Sequence, residues 1–173
     1  MKLESPLVGE RITIRNYTPG DLTFSTDMWF DPENGRYLSD PAAEYVDEVY
    51  QKALDGLQDC EDGYYLIVEL RSSGERIGTC CVFPDKDVYD IGYCIHKSRW
   101  KRGFGTEVVN LLAGWAREQG AAAVTAEAAK ANQASCALLE KCGFSVLKEA
   151  SFKKYNMGIV FDSLIYERRF SHA

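Results

Sequence analysis

The chain has 173 residues, 46% of them hydrophobic and 12% aromatic, which is enough to build the core of one domain and excludes a wholly disordered chain. Its 20 Lys and Arg residues against 26 Asp and Glu give a net charge of −6, which argues against broad binding of nucleic acid or of an anionic membrane. The sequence contains no apolar run near the roughly 20 residues of a membrane span and no secretory signal at its N-terminus, so we expect a cytoplasmic protein without nucleic-acid or membrane partners.

The first half of the chain predicts strands around one helix. Alternating charged and β-branched residues predict a strand over 11–15, and a turn at 18–21 leads into a polar and apolar segment that ends at residue 30. Apolar residues at three- and four-residue intervals predict a helix over 42–57. Three successive strands over 64–70, 77–83 and 88–95, separated by turns, predict an antiparallel meander.

The second half alternates helices and strands. We predict helices over 106–118 and 132–141 on either side of a short strand over 122–128. Strands over 144–148 and 159–169 close the chain. This order predicts an α/β fold with one sheet of about seven strands flanked by helices.

The cysteines and histidines show no metal-site or redox pattern. The six cysteines contain no C-x-x-C pair, and neither histidine lies at zinc spacing from them, so we expect buried structural thiols and no metal. His96 either relays protons or is a polar edge residue, and the second reading is favoured. His172 is expected in a terminal tail.

A basic, glycine-containing turn over 98–106 joins a predicted strand to a predicted helix. Gly103 and Gly105 let backbone N–H groups approach a bulky ligand, and the first turn of the helix adds unsatisfied donors. With Arg99, Lys101 and Arg102 these donors predict a phosphate site. Val108 stands where a dinucleotide fingerprint needs glycine, and the chain contains no Gly-Lys-Ser/Thr of a P-loop. The alternative is that the glycines only shape a tight corner.

Two ordered blocks about 30 residues apart resemble the GNAT superfamily of N-acetyltransferases, and within it the ribosomal-protein-alanine (Rim-type) branch. The first block reads IGYCI over 91–95 and WKRGFGTEV over 100–108. The second reads N-x-x-S at Asn132 and Ser135, then LEKCGF over 139–144. The resemblance implies a GNAT acyl-CoA N-acyltransferase fold, with a mixed and mostly antiparallel sheet, over a single domain spanning 8–170. It covers nearly the whole chain.

The resemblance also implies an acetyl-CoA site and an activity. The expected reaction moves an acetyl group from acetyl-CoA to a primary amine, at a peptide N-terminus or on a small molecule. A splayed strand and the turn after it would hold the cofactor, with an N–H near Cys94 or Ile95 polarising the thioester carbonyl. The expected cofactor-binding residues are Tyr93, Cys94, Ile95, Arg99, Lys101, Arg102, Gly103, Phe104, Gly105, Thr106, Asn132 and Ser135.

Two departures from the family leave catalytic roles open. Trp100 stands where the superfamily usually has Gln or Arg, as is common in the Rim-type branch, and Leu139 replaces a tyrosine that protonates the leaving thiolate in many relatives. The expected general base is Asp90, with Glu127 as the second candidate, and Ser135 is expected to contact the sulfur. Alternatively, a chain of water molecules takes the proton, or the two carboxylates are only solvated surface groups. Ser135 and Asn132 are alternatively backbone-capping residues of a helix start.

The acceptor is expected between residues 29 and 50, with help from a hairpin over 153–158. Trp29, Tyr37 and Tyr45 are the expected substrate contacts. Six nearby carboxylates would attract a cationic acceptor, although solvated surface charges are the favoured reading; they are Asp31, Glu33, Asp40, Glu44, Asp47 and Glu48. Two alternative functions remain: a non-catalytic module that senses CoA, and a transferase for longer acyl groups. A homodimer through the final strands is a separate expectation about the assembly.

Overall fold

A computed structural model describes residues 1–171, so His172 lies outside the described residues. Across the described range the chain forms eight strands and four α-helices. The strands are β1 Leu7–Val8, β2 Ile12–Asn16, β3 Tyr64–Leu70, β4 Arg76–Asp85, β5 Val88–Ile95, β6 Ala123–Ala129, β7 Ser145–Lys153 and β8 Val160–Arg169. The helices are α1 Leu22–Trp29, α2 Glu48–Asp55, α3 Phe104–Glu118 and α4 Gln133–Lys141.

The eight strands form one mixed sheet in the order β1-β2-β3-β4-β5-β6-β8-β7. Every neighbouring pair is antiparallel except β5 and β6, which are parallel. The predicted α/β fold with a mixed, mostly antiparallel sheet is confirmed, with one strand more than the approximate seven. The additional strand is the two-residue β1, which is too short for a periodic pattern to reveal.

The sheet carries a hydrophobic core on each face. On one face the apolar sides of α3 and α4, including Val108, Leu112 and Leu139, pack on strand residues such as Ile14 and Val82. On the other face Met28 and Trp29 of α1 pack with Leu54 of α2. Because side chains alternate along a strand, neighbours on β5 divide between the two cores: Tyr93 packs in the first, and Cys94 in the second.

The predicted helix over 42–57 is wrong in its first six residues. Helix α2 begins only at Glu48, because the Asp47 carboxylate accepts a hydrogen bond from Tyr50 N–H at 2.8 Å and caps the first turn. Residues 43–45 form a 3-10 turn instead. The segment between α1 and α2 is therefore irregular chain that is free to line a cavity.

Smaller differences concern element ends. Helix α3 begins two residues earlier than predicted, at Phe104, after Gly103 in the left-handed region with φ of 80°. Strand β7 continues to Lys153 through a register shift between Val146 and Lys148, where periodicity is interrupted. All six cysteines are free thiols. None of the helices in residues 1–171 combines the length and the apolar character that a membrane crossing requires.

Candidate active site

Strands β5 and β6 separate halfway along their length and open a cleft in the sheet. Their parallel pairing covers only three positions, from Val88 with Ala123 to Asp90 with Thr125. Beyond Asp90, β5 stays paired with β4 as far as Ile95, whereas β6 continues beside β8. The last part of β5 therefore presents one backbone edge to the cleft.

The ladder geometry shows which peptide groups face this cleft. His96 N–H donates to Ile77 O of β4 at 2.8 Å. Because the N–H and C=O groups of successive residues face alternately toward and away from the partner strand, those of Cys94 face β4, and those of Tyr93 and Ile95 face away from it. Side chains already use the outward carbonyl of Ile95, which accepts from Trp100 Nε1 at 2.7 Å and from Asn34 Nδ2 at 3.1 Å. Of the two predicted N–H donors, Ile95 has the suitable direction, and the Cys94 N–H faces β4.

The turn that follows β5 presents a run of free donors. None of the six backbone N–H groups of residues 101–106 donates a hydrogen bond to an acceptor within residues 1–171, whereas Glu107 N–H donates to Gly103 O at 3.1 Å. Lys101 and Gly103 both have positive φ, at 58° and 80°, which turns successive N–H groups toward one side. Together with the N-terminus of α3, this arrangement fits an anionic phosphate group.

Arg11 and Glu107, which were not predicted as site residues, hold this turn from outside. The Arg11 guanidinium donates to Arg102 O at 2.8 Å and to Glu107 Oε2 at 3.0 Å, and it lies 4.5 Å from the ring centre of Phe104. Glu107 Oε1 accepts from Arg11 N–H at 2.7 Å. Glu107 belongs to the sequence block quoted above, but its partner lies 96 positions away, and no local pattern indicates it.

The three basic residues of the turn differ in their surroundings. Arg99 forms an ion pair with Glu75 at 2.6 Å, and this hydrogen bond raises the pKa of Arg99. Lys101 and Arg102 are exposed, and within residues 1–171 neither forms an ion pair. Lys101 and Arg102 are therefore the more available cations of the turn.

Tyr93, Asn132 and Ser135 lie together on the α4 side of the cleft. The hydroxyls of Tyr93 and Ser135 are 2.7 Å apart, and burial raises the pKa of Tyr93 to about 12. Asn132 caps α4, because its Oδ1 accepts from Ser135 N–H at 3.3 Å. Leu139 is fully buried in the core, and its side chain offers no hydroxyl to the cleft.

Asp90 and Glu127 lie on neighbouring strands where the cleft begins. Thr125 Oγ1 donates to Asp90 Oδ1 at 2.8 Å, and Ser163 Oγ donates to Glu127 Oε1. Loss of hydration raises the pKa of Asp90, the Thr125 bond lowers it, and the charge of Glu127 raises it further. Both carboxylates remain exposed, so solvent screens these effects.

The opposite face of the sheet carries a cavity of about 400 Å³, here named the inner cavity, at the end of β5. Trp29 is in its wall and donates from Nε1 to Thr79 Oγ1 at 2.9 Å. Tyr37 instead packs edge-on against Phe161, and Tyr45 is 43% exposed; neither lines the inner cavity. The wall includes Tyr17, Trp29, Leu38, Ser39, Asp40, Tyr50, Leu54, Tyr65, Thr79, Cys81, Phe83, Gly92 and Cys94.

A second cavity of about 510 Å³, the outer cavity, adjoins the first. Ser39 and Tyr50 line both, so the two spaces share part of a wall. Tyr155 and Asn156 of the hairpin between β7 and β8 form part of its wall.

Three of the six acidic residues expected to attract a cation, Asp31, Glu33 and Asp47, form ion pairs or hydrogen bonds with other side chains. Asp31 and Glu33 pair with Lys97 at 2.9 and 3.2 Å. Asp47 accepts from Tyr155 and from Asn156 Nδ2 at 3.1 and 2.8 Å. Only Asp40 lines the inner cavity. Within residues 1–171 no three His, Cys, Asp or Glu side chains are grouped to hold a metal ion.

Comparisons with known proteins match this architecture. The profile of the family described as acetyltransferase (GNAT) domain matches residues 11–145. An uncharacterized N-acetyltransferase p20 from Bacillus licheniformis is 26% identical over 116 residues, which cover 61% of this chain and 62% of that relative, so the chain spans less than two thirds of its length.

Solved structures share the fold at low sequence identity. Spermidine N-acetyltransferase from Vibrio cholerae, in complex with CoA and spermine, superposes with a TM-score of 0.75 at 16% identity, covering 92% of this chain and 95% of that one. Ribosomal-protein-S5-alanine acetyltransferase from Vibrio fischeri superposes with a TM-score of 0.70 at 16% identity, covering 96% and 97%. The splayed strands, the free donors after β5 and the profile match over most of the chain agree, and the protein belongs to the acetyltransferase (GNAT) domain family.

Proposed function

We propose that this protein is an acetyl-CoA-dependent N-acetyltransferase that acts on a primary amine, with residues 8–170 as its catalytic domain. The observation that carries the proposal is the row of six free backbone N–H groups over 101–106, next to a sheet that opens beside β5. The structural neighbours that share the fold act, by their names, on spermidine and on a ribosomal-protein alanine. Those acceptors are both amines, and they give the proposal its substrate class.

The residues of the turn would bind the cofactor's diphosphate. Backbone N–H groups of residues 101–106 have no acceptor within the described chain, and the side chains of Lys101 and Arg102 add positive charge. Arg11 fixes the shape of this turn through Arg102 O and Glu107. When bound, acetyl-CoA supplies the activated acetyl thioester.

The end of β5 and the start of α4 would surround the reacting group. The Ile95 N–H is directed into the cleft and would stabilise the negative charge that develops on a carbonyl oxygen. The neighbouring hydroxyls of Tyr93 and Ser135 would hold or pass a proton where Leu139 cannot. Asp90 and Glu127 remain candidate bases at the opening of the cleft.

The test combines cofactor binding with turnover. Calorimetric titration of acetyl-CoA is expected to give one site per chain, and CoA release in the presence of primary amines is expected to follow amine concentration. Binding without release across peptide N-termini, polyamines and small alkylamines would favour the CoA-sensing alternative. Faster CoA release from a longer acyl-CoA than from acetyl-CoA would favour a transferase for longer acyl groups. The predicted homodimer and cytoplasmic location stay predictions.

A further inference from the structure

The largely aromatic wall of the inner cavity contains a single carboxylate among residues 1–171. Asp40, from the irregular segment between α1 and α2, accepts a hydrogen bond from Tyr50 OH through Oδ1. Within the described chain, its Oδ2 accepts no hydrogen bond from another residue. A carboxylate in a cavity with one unused oxygen is suited to accept a hydrogen bond from a cationic donor.

The groups that surround Asp40 do not neutralise it. Tyr50, Tyr65, Cys81 and Cys94 face it from α2, β3, β4 and β5, and burial raises the pKa of each of these four groups, so they are uncharged at neutral pH. Within residues 1–171, the one cation that faces it is Lys154, in the hairpin between β7 and β8, whose Nζ donates to Gly35 O at 2.7 Å and to Leu38 O at 2.9 Å. Lys154 therefore holds the backbone before Asp40, and the carboxylate stays available.

The remaining wall suits a cation with an apolar chain. The rings of Tyr17, Trp29, Tyr50, Tyr65 and Phe83 line the inner cavity. Aromatic faces attract ammonium groups, and their apolar area binds methylene groups. Cys94 lines the same cavity and precedes Ile95, whose N–H faces the cleft, so an amine held here lies beside the end of β5.

We propose that Asp40 binds the ammonium group of the acceptor through Oδ2 and accepts a proton from it, and that the acceptor is a primary alkylammonium whose chain extends into the outer cavity. This inference rests on the proposed function. In the step, one N–H bond breaks, an O–H bond forms on Asp40, and the electron pair stays on the nitrogen as its lone pair; Asp40 later releases the proton to solvent. Asp90, the base expected from the sequence, is not part of this cavity wall.

The experiment measures binding separately from turnover. NMR titrations of the CoA-saturated protein with hexylammonium and with its neutral analogue 1-hexanol compare the charged and uncharged head groups. The wild type is expected to bind hexylammonium at least tenfold more tightly than hexanol. Asp40→Asn is expected to remove this preference, to leave the CoA affinity unchanged and to lower kcat/KM for the amine roughly 100-fold, as loss of a general base does. Asp27→Asn, an exposed carboxylate on α1, is the matched control and should keep the preference.

A second variant keeps the inference testable if Asp40→Asn does not fold. Burial raises the pKa of Asp40, and the hydrogen bond from Tyr50 opposes this rise. Tyr50→Phe removes that bond and should raise the pKa further, so the pH at which hexylammonium binding is lost should rise. An unchanged pH dependence, or an ammonium preference that survives Asp40→Asn, overturns the inference while CoA release from amines can still stand. If the wild type shows the Asp40-dependent preference but acetylates no amine, the proposed function fails and the ammonium site stands.

Discussion

At the scale of single residues, Asp21 is a buried carboxylate that forms ion pairs with two arginines. It is 2% exposed, and Arg15 donates to its two oxygens at 2.8 and 2.9 Å, with Arg76 at 3.1 Å. Burial by itself would raise the pKa of Asp21, but the hydrogen bonds from Arg15 and Thr18 outweigh it and lower the pKa to about 2. These bonds join the start of α1 to β2 and β4 on the face that carries the inner cavity.

The depressed pKa of Asp21 predicts a pH dependence of stability. The carboxylate is charged in both states above its unfolded pKa of about 3.9, so its full contribution of about 2 kcal/mol is present there and is lost as the pH falls through about 2. Urea unfolding at pH 7 should show Asp21→Asn destabilised by at least this amount, because Arg15 also loses a buried partner. Asp27→Asn should change the free energy of unfolding by less than roughly 0.5 kcal/mol. Equal losses in both variants would contradict this account.

At the scale of elements, the N-terminus of α3 packs directly on α4. A Cβ on Gly105 would lie 2.7 Å from Leu138 Cδ1, so an added methyl group requires either the Leu138 side chain or α3 itself to shift. Gly103 is needed for another reason, because its φ of 80° is strained for other residues. The two glycines of the turn therefore have different roles. Gly103 allows the left-handed backbone conformation of the turn, and Gly105 leaves room for the Leu138 side chain between α3 and α4, the helix that carries Ser135.

This packing predicts different effects for the same substitution at two places on α3. Gly105→Ala should displace α3 from α4 and weaken acetyl-CoA binding about tenfold in calorimetry, because the donors of the turn move with the helix. Gly114→Ala, where an added Cβ meets no atom within 4 Å, should leave binding unchanged and stabilise the protein by roughly 0.5–1 kcal/mol.

A compensating change separates packing from a direct ligand contact. Gly105→Ala combined with Leu138→Ala should recover most of the lost affinity, because the shortened side chain makes room for the new methyl group. If affinity stays low in the double variant, the added methyl group acts on the cofactor itself and the packing explanation is wrong.

At the scale of the whole molecule, one sheet joins two cores. The cleft between β5 and β6 opens in the middle of this sheet, with the turn over 101–106 and α4 on one face and the inner cavity on the other. A cofactor bound in the cleft would therefore contact elements that belong to both the first and the second half of the chain.

Acetyl-CoA binding should accordingly stabilise the fold in one cooperative step. At a concentration of 100 times its Kd it adds about 2.7 kcal/mol, which for a chain of this length raises Tm by roughly 5–10 °C. Differential scanning calorimetry should show one transition that moves as a unit, and ATP at the same concentration should move it less because it lacks the pantetheine arm. A transition that splits, with only one part shifted, would contradict the joined-core description.

The sequence by itself determined the local parts of this protein: the amphipathic helices α3 and α4, the three-strand meander, and the glycine-containing turn with its free donors. These follow from periodicity and backbone freedom within a few residues. Only the tertiary structure decided that Arg11 holds Glu107, that β8 lies between β6 and β7, and that Asp40, among six carboxylates, lines the inner cavity. The physical reason is that strand order and burial depend on contacts between residues far apart in the chain. Such contacts produce no local periodicity in the sequence from which they could be predicted.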